Sequence, residues 1–340
     1  MASLRDFLTD RLLEALGRPA RVARVVRDHP CLPAQLEEPA RCIDLRQVAA
    51  WHEWPGNSWS KPDEIILEGW QPEPGRFAMF HRRVAALSNF AICETHDDWQ
   101  CDIQTVEGLS SSKSDLQRYA TMDDFVQATC QSLDGGATPG LIEPISEDTL
   151  RKRLAHREIR ILHHPSTSDH FVRHLWDGRV FLCQSGGSHN LAAARFLAAR
   201  LGRPVPLRGR LYEHHINPAA VAVLQEDYAM VVLGGGAHDS AFNALHDALG
   251  RFGASFLCCG LPRQYGGPHE RLRALFFSRF DPRSFAVATL LMQAGAADLG
   301  AHLEGLVARQ AAMPTAGRFI RGRPDPGRLR LVATNPAASG

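Results

Sequence analysis

The stretch Arg179-Val-Phe-Leu-Cys-Gln-Ser-Gly-Gly-Ser-His-Asn-Leu-Ala-Ala-Ala-Arg-Phe-Leu-Ala-Ala-Arg-Leu-Gly202 changes its pattern twice. Val180 to Cys183 is an unbroken apolar run and predicts a short buried strand. Gln184 to Ser188 carries two glycines and predicts a tight turn. From Leu191 to Leu201 apolar residues recur at 191, 194, 197, 198 and 201, the spacing of one helix face, and Gly202 is a stop signal. A strand, a glycine turn and a helix N-terminus together suit an anion. Glycine lets backbone N–H groups approach a ligand, and the first helical turn offers unpaired donors at the positive end of the dipole. The same residues also suit a plain turn in which Ser188 or Asn190 caps a core helix.

Outward from this stretch, strands and helices alternate. Ser146-Glu-Asp148 caps a helix running through Leu154, and Glu158 to Leu162 reads as a strand. His170–Leu175 and Arg179–Cys183 flank Asp177-Gly178, a hairpin signal. Val205 to Tyr212 reads as a strand whose prolines at 204 and 206 suggest a sheet edge. Asn217-Pro218 opens a helix to Gln225. Strands at 228–233, 254–259 and 273–280 alternate with helices at 239–251, 284–292 and 299–312. Such alternation predicts a mixed α/β layer architecture.

The amino-terminal part has a different texture. Leu4, Phe7, Leu8, Leu12 and Leu16 make one helical stripe, ended by Pro19. Residues 28–80 are rich in proline and tryptophan and predict an irregular connection packed over the core, with short strands such as 64–67. Strands follow at Phe90–Cys93 and Cys101–Val106, with Thr95-His-Asp-Asp98 as the tip between them. Gly108 to Ser114 reads as a polar loop. Thr121-Met-Asp-Asp124 reads as a helix N-cap. Asp134 to Gly140 is the best linker candidate. The expected division is therefore an α+β amino-terminal region over 1–134, an α/β core over 141–313, and a loosely patterned tail over 314–340.

Composition narrows the function classes. The 340 residues are 44% hydrophobic and 22% charged, with a formal net charge of +1. A net charge so small gives no global field for non-specific nucleic-acid binding. Lysine occurs only at 61, 113 and 152, an arginine bias of the kind a GC-rich bacterial genome produces. The eight cysteines contain no Cys-x-x-Cys and read as buried thiols of a reducing, cytoplasmic compartment. No apolar run approaches the ~20 residues of a membrane span.

The turn Gly186-Gly-Ser-His-Asn190 between strand and helix resembles the signature of the ParB/sulfiredoxin-like superfamily. The matching features are Phe181-Leu-Cys183, Gly186-Gly187, His189, Ala192-Ala-Ala194 and Pro204-Val-Pro206, and the likeness spans roughly 158–223. It implies a ParB/sulfiredoxin-like core in the carboxy-terminal half and binding of a nucleoside triphosphate with magnesium, or of DNA. Where sulfiredoxin carries a cysteine, this chain has Ser188, which excludes its redox chemistry. Where an arginine usually follows the histidine, this chain has Asn190, so a phosphate ligand must come from Arg195, Arg160 or Arg208.

The expected site is therefore a phosphate-bearing ligand held by Gly186, Gly187, Asn190, Arg195 and His215. Ser188, His189 and Glu213 carry any phosphoryl transfer or NTP hydrolysis, with Glu213 as base, and no metal ligand is assigned among the side chains. Two alternatives stand beside it. One is a non-catalytic module that binds DNA or a protein through an arginine face at 195, 200, 203, 208 and 210. The other is a serine hydrolase or acyltransferase using Ser188 with His214, His215 or His238 and Asp239 or Glu213. His163, His164, Asp169, His170 and His174 crowd together in sequence without a tetrahedral zinc spacing.

Overall fold

The computed structural model describes residues 4–55, 65–130, 140–164, 166–235, 240–266 and 271–314. Among these, ten strands form two sheets: β1 (Ile66–Glu73), β2 (Arg76–Arg83), β3 (Ala91–Asp102), β4 (Val106–Leu109), β5 (His170–His174), β6 (Val180–Cys183), β7 (Pro206–Ile216), β8 (Tyr228–Leu233), β9 (Phe256–Gly260) and β10 (Arg273–Ser278). One sheet has the order β2-β1-β9-β10-β8 and is antiparallel throughout. The other has the order β3-β7-β5-β6-β4 and is mixed, with β5/β7 and β4/β6 parallel. The protein is thus mixed α/β. Each sheet takes strands from both sides of the 134–140 segment, so that segment does not separate the sheets; residues 131–139 themselves, like the tail from 315, lie outside the described residues.

The Arg179–Gly202 reading holds in its parts. β5 and β6 form the hairpin signalled by Asp177-Gly178, and the helix Ser188–Leu201 follows directly. That helix buries Leu191, Ala192, Ala193, Ala194, Phe196, Leu197 and Ala198 against the mixed sheet, in a core with Phe171, Leu182, Leu207 and Leu211. The alanines let it lie close to the strands. The antiparallel sheet has a core on each face. Ala229, Val231 and Leu233 point to the helices Ala20–Asp28, Ser240–Phe252 and Pro282–Gln293, and Met230 and Val232 point to the opposite core with Trp51, Trp54 and the helix Leu299–Ala311. Expected caps are present at Ser146, Asn217 and the Thr121–Asp124 capping box.

Three local expectations are corrected. Residues 158–162 lead into a helical turn (Arg160–His163), not a strand: the turn packs on β7, with the Ile161 side chain against Gly209, instead of pairing at a sheet edge. β7 is interior, not an edge; Pro206 is tolerated because it stands at the strand's first residue. His96-Asp-Asp98 is a bulge inside the long β3, where Arg210 and Arg208 of β7 pair with Asp97 and Asp98. Ser110 to Ser114 is stitched to the glycine turn: Gln184 N–H donates to Ser110 Oγ (3.2 Å), and Ser111 Oγ donates to the Gln184 carbonyl (2.6 Å). No described helix is long and apolar enough to cross a membrane.

Gly187 and Gly202 bracket the central helix, both left-handed (φ +73° and +62°). A Cβ at 202 would meet open space, whereas one at 187 would stand 2.7 Å from the Glu158 carbonyl oxygen. Urea denaturation is therefore expected to cost Gly202→Ala about 1 kcal/mol and Gly187→Ala about 3 kcal/mol or more, since the second adds backbone overlap to left-handed strain. Equal costs would show that the 158 segment yields freely.

Candidate metal centre

The glycine turn is closed over. Gly187 packs on the Glu158 backbone, and Ser188 is 6% exposed. Ser188 Oγ donates to Ser112 Oγ (3.0 Å) and lies 3.4 Å from His189 Nδ1; His189 Nε2 meets Ser114 Oγ at 3.1 Å, and its ring packs on Phe125. Burial, then Lys113, lowers the His189 pKa. Asn190 Oδ1 accepts from Arg153 Nη1 (3.4 Å), and Arg195 is ion-paired with Asp123 (2.9 Å). Neither the cleft of about 550 Å3 nor that of about 820 Å3 described below is lined by any residue from 186 to 190.

Glu213 and His215 do not join this turn. β7 pairs Glu213 with Arg173, three residues along β5 from the end that faces Cys183, a separation of about 10 Å along the strand. Glu213 is 1% exposed, with Oε2 3.3 Å from Arg173 Nη1. It stands inside the protein, not at a strand end. His215 Nδ1 lies 4.0 Å from Glu94. Within the expected arginine face, Arg195, Arg203, Arg208 and Arg210 each pair with a carboxylate, so the face is not a bare cationic surface. His238 and Asp239 lie outside the described residues.

On the opposite face of the mixed sheet, three histidines converge. Parallel pairing sets His174 of β5 beside His214 of β7. His52, on the single turn Trp51–Glu53, packs on both: ring centroids are 4.7 Å apart for 52/174, 4.5 Å for 52/214 and 5.2 Å for 174/214. One nitrogen from each ring lies within 4.8 Å of the other two. Trp176 stacks on His174 at 4.8 Å and donates from Nε1 to the Ala49 carbonyl (3.0 Å), tying the His52 segment to β5.

Two tryptophans fix His52 from the other side. Trp51 is fully buried and donates to Tyr265 Oη (3.0 Å), which stands 2.9 Å from His302 Nε2; Trp54 donates to the Gly260 carbonyl (2.8 Å). Gln264 accepts from Ala50 N–H and donates to the Arg46 carbonyl. The histidines therefore sit where the two sheets meet, at the base of a cleft of about 550 Å3 lined also by Arg46, Glu53 and Arg263. The larger cleft, about 820 Å3, lies by His163, His164 and His170, whose side chains do not gather into a ligand set with His174.

Burial governs the charge of the three rings. It lowers the pKa of His52, pulls that of His174 well below the usual value, and brings His214 to about 4; the neighbouring imidazoles add repulsion in the last two. All three are neutral at pH 7 and present lone pairs. His174 is 3% exposed, and neither of its ring nitrogens has a hydrogen-bond partner. His52 Nδ1 is likewise buried and unpartnered, while its Nε2 lies 3.7 Å from Glu53 Oε1. That leaves Nδ1 as the free donor atom of His52. A second grouping, Glu94, His96 and Glu213, is less suited to a cation because Arg173 already compensates the Glu213 charge.

Residues 96–316 match the model of DUF6685, a family of unknown function. The chain belongs to that family. The matched span holds His174 and His214, and His52 precedes it. No curated protein and no solved structure matches the chain.

The sequence does not mark this centre: His174 falls among the crowded histidines from 163 to 174, and His214 among the candidate bases for Ser188. His52 lies among the tryptophans at 51 and 54, and nothing in its spacing links it to either strand. The signal that joins them is the β5/β7 register, a long-range property.

In metal-free protein the three imidazoles, one buried and two half-buried, set a pH dependence. Their folded pKa values are depressed, so their contribution is complete above the unfolded value near 6.5 and is lost as pH falls toward about 4 for His214. The melting temperature in chelator is expected to drop across that window, and His214→Gln to flatten the drop. Parallel curves for wild type and variant would refute the buried neutral state.

Proposed function

We infer that the protein is a metal-dependent enzyme whose ion is held by His52, His174 and His214 at the base of the 550 Å3 cleft. One observation carries this reading: a histidine at 3% exposure with both nitrogens unpartnered, facing two more neutral imidazoles. Each buried, unsatisfied polar group costs about 1–3 kcal/mol, and a cation at the common focus of the three would relieve that cost. Imidazole donors favour zinc and its transition-metal neighbours over magnesium, which prefers oxygen.

Three protein ligands with space beside them are the pattern of catalytic rather than structural zinc. Such an ion lowers the pKa of a bound water to about 7 and polarises carbonyl or phosphoryl oxygens, which supports a hydrolytic or hydration reaction. The residues of this chain supply the rest. The Glu53 carboxylate, 3.7 Å from His52 Nε2, electrostatically favours the tautomer that keeps the ring proton on that nitrogen. Trp176 fixes the plane of His174. Arg46 and Arg263 line the cleft and suit an anionic group on the substrate. A phosphate-bearing ligand at Gly186–Asn190 ranks below this reading, because Ser188 is buried and Gly187 faces backbone.

Calorimetric titration of the chelator-stripped protein with zinc is expected to show equimolar binding, with His174→Ala weakening it by about 100-fold or more. At a free zinc concentration about 100 times Kd, stability should rise by about 2.7 kcal/mol. Wild-type protein that takes up no zinc, cobalt, nickel or manganese would end the proposal.

A further inference from the structure

The histidine row does not stop at His214. β3 lies on the far side of β7, and the residue paired with His214 is Cys93. Cys93, His214 and His174 are thus neighbours across three adjacent strands, on the face that His52 covers. The Cys93 Sγ is 3.9 Å from His214 Nε2. A thiolate and an imidazole sharing one tetrahedral zinc-class ion stand about 3.5 Å apart, given bonds of about 2.3 and 2.0 Å. The observed spacing is close to that value. Cys93 is exposed, whereas Cys42 and Cys130 are buried. Its sulfur is beside His214 but outside the group of three imidazoles, so full coordination requires a χ1 rotation, which an exposed cysteine makes freely.

Resting on the reading of the three histidines as a metal centre, we propose that Cys93 is a displaceable fourth ligand. In the reduced protein its thiolate closes the remaining coordination position, and its oxidation by a hydroperoxide opens that position to water. In the opening step the sulfur attacks the outer peroxide oxygen. An S–O bond forms, the O–O bond breaks, sulfur supplies the electron pair, and the departing alkoxide takes a proton from water. The products are a sulfenic acid and an alcohol. A small thiol reverses the step, first forming a mixed disulfide with loss of water; a second thiol then releases Cys93. A sulfenic acid is a poorer ligand than a thiolate, so the three histidines keep the ion while the fourth position changes hands.

Cobalt(II) is the probe, added to full-length reduced protein and followed by absorption. Wild type is expected to bind an equimolar amount and show a thiolate-to-cobalt charge-transfer band in the near ultraviolet. Cys93→Ser should still bind equimolar cobalt, about tenfold more weakly, without that band. Circular dichroism of the variant checks its fold, and treating wild type with hydroperoxide should erase the band with cobalt retained, dithiothreitol restoring it. Superimposable wild-type and Cys93→Ser spectra would overturn the role of Cys93 and leave the histidine centre standing. A band that survives hydroperoxide would overturn the gate. Failure of reduced wild type to bind cobalt at all would overturn the metal reading on which both rest.

Discussion

Parallel pairing of β5 with β7 is the constraint from which the rest of the mixed sheet follows. A parallel pair cannot be joined by a tight turn; the chain must leave the sheet, cross one face and return. Here β5 turns back through β6, and the helix Ser188–Leu201 makes the crossing. The glycine turn is the corner at which that crossing begins. Its left-handed Gly187 fits under the Glu158 backbone, and the alanines beyond it keep the helix close to the strands. The crossing covers one face of the sheet and leaves the other to His174 and His214.

What covers that second face is not a helix but an irregular segment. Trp51 and Trp54 sink into the core shared with the antiparallel sheet, each with its indole nitrogen satisfied, and His52 is carried between them. This is where large aromatic side chains have an advantage over aliphatic ones: each fills volume and also fixes direction through one hydrogen bond. The packing shields three imidazoles from water without giving His174 a partner. A fold built only for stability would place apolar side chains there, since an unsatisfied buried ring costs free energy that a leucine does not.

The sequence made the local elements visible wherever local signals decide them. The β5–β6 hairpin follows from Asp177-Gly178, the helix from its apolar spacing and Gly202, and the caps at Ser146 and Asn217 from their side chains. Residues 158–162 misled because isoleucines at 159 and 161 alternate as in a strand, yet the segment packs on β7, with Ile161 against Gly209, instead of pairing. Pairing between distant strands was not legible. Nothing near β1 says that it joins β9, and nothing near Glu213 says that Arg173 will meet it. The candidate site depends on such pairings, whereas the Gly-Gly-Ser-His motif is contiguous and therefore visible in the sequence while the separated histidines are not.

The two places differ in how their polar groups are treated, and that difference is the ground for assigning them different work. At the glycine turn, Ser188 and His189 are bonded to Ser112 and Ser114, and the Gln184 backbone to Ser110 and Ser111, so the loop and the turn are stitched together although the buried Gln184 Nε2 has no partner. At the junction of the sheets, burial keeps the three imidazoles neutral, and both nitrogens of His174 and the Nδ1 of His52 are left without partners. Polar groups that are mutually satisfied hold a fold together. Polar groups that are buried, convergent, neutral and unsatisfied, beside a cleft, are strained toward a guest, and for three imidazoles the guest that answers every lone pair at once is a metal ion.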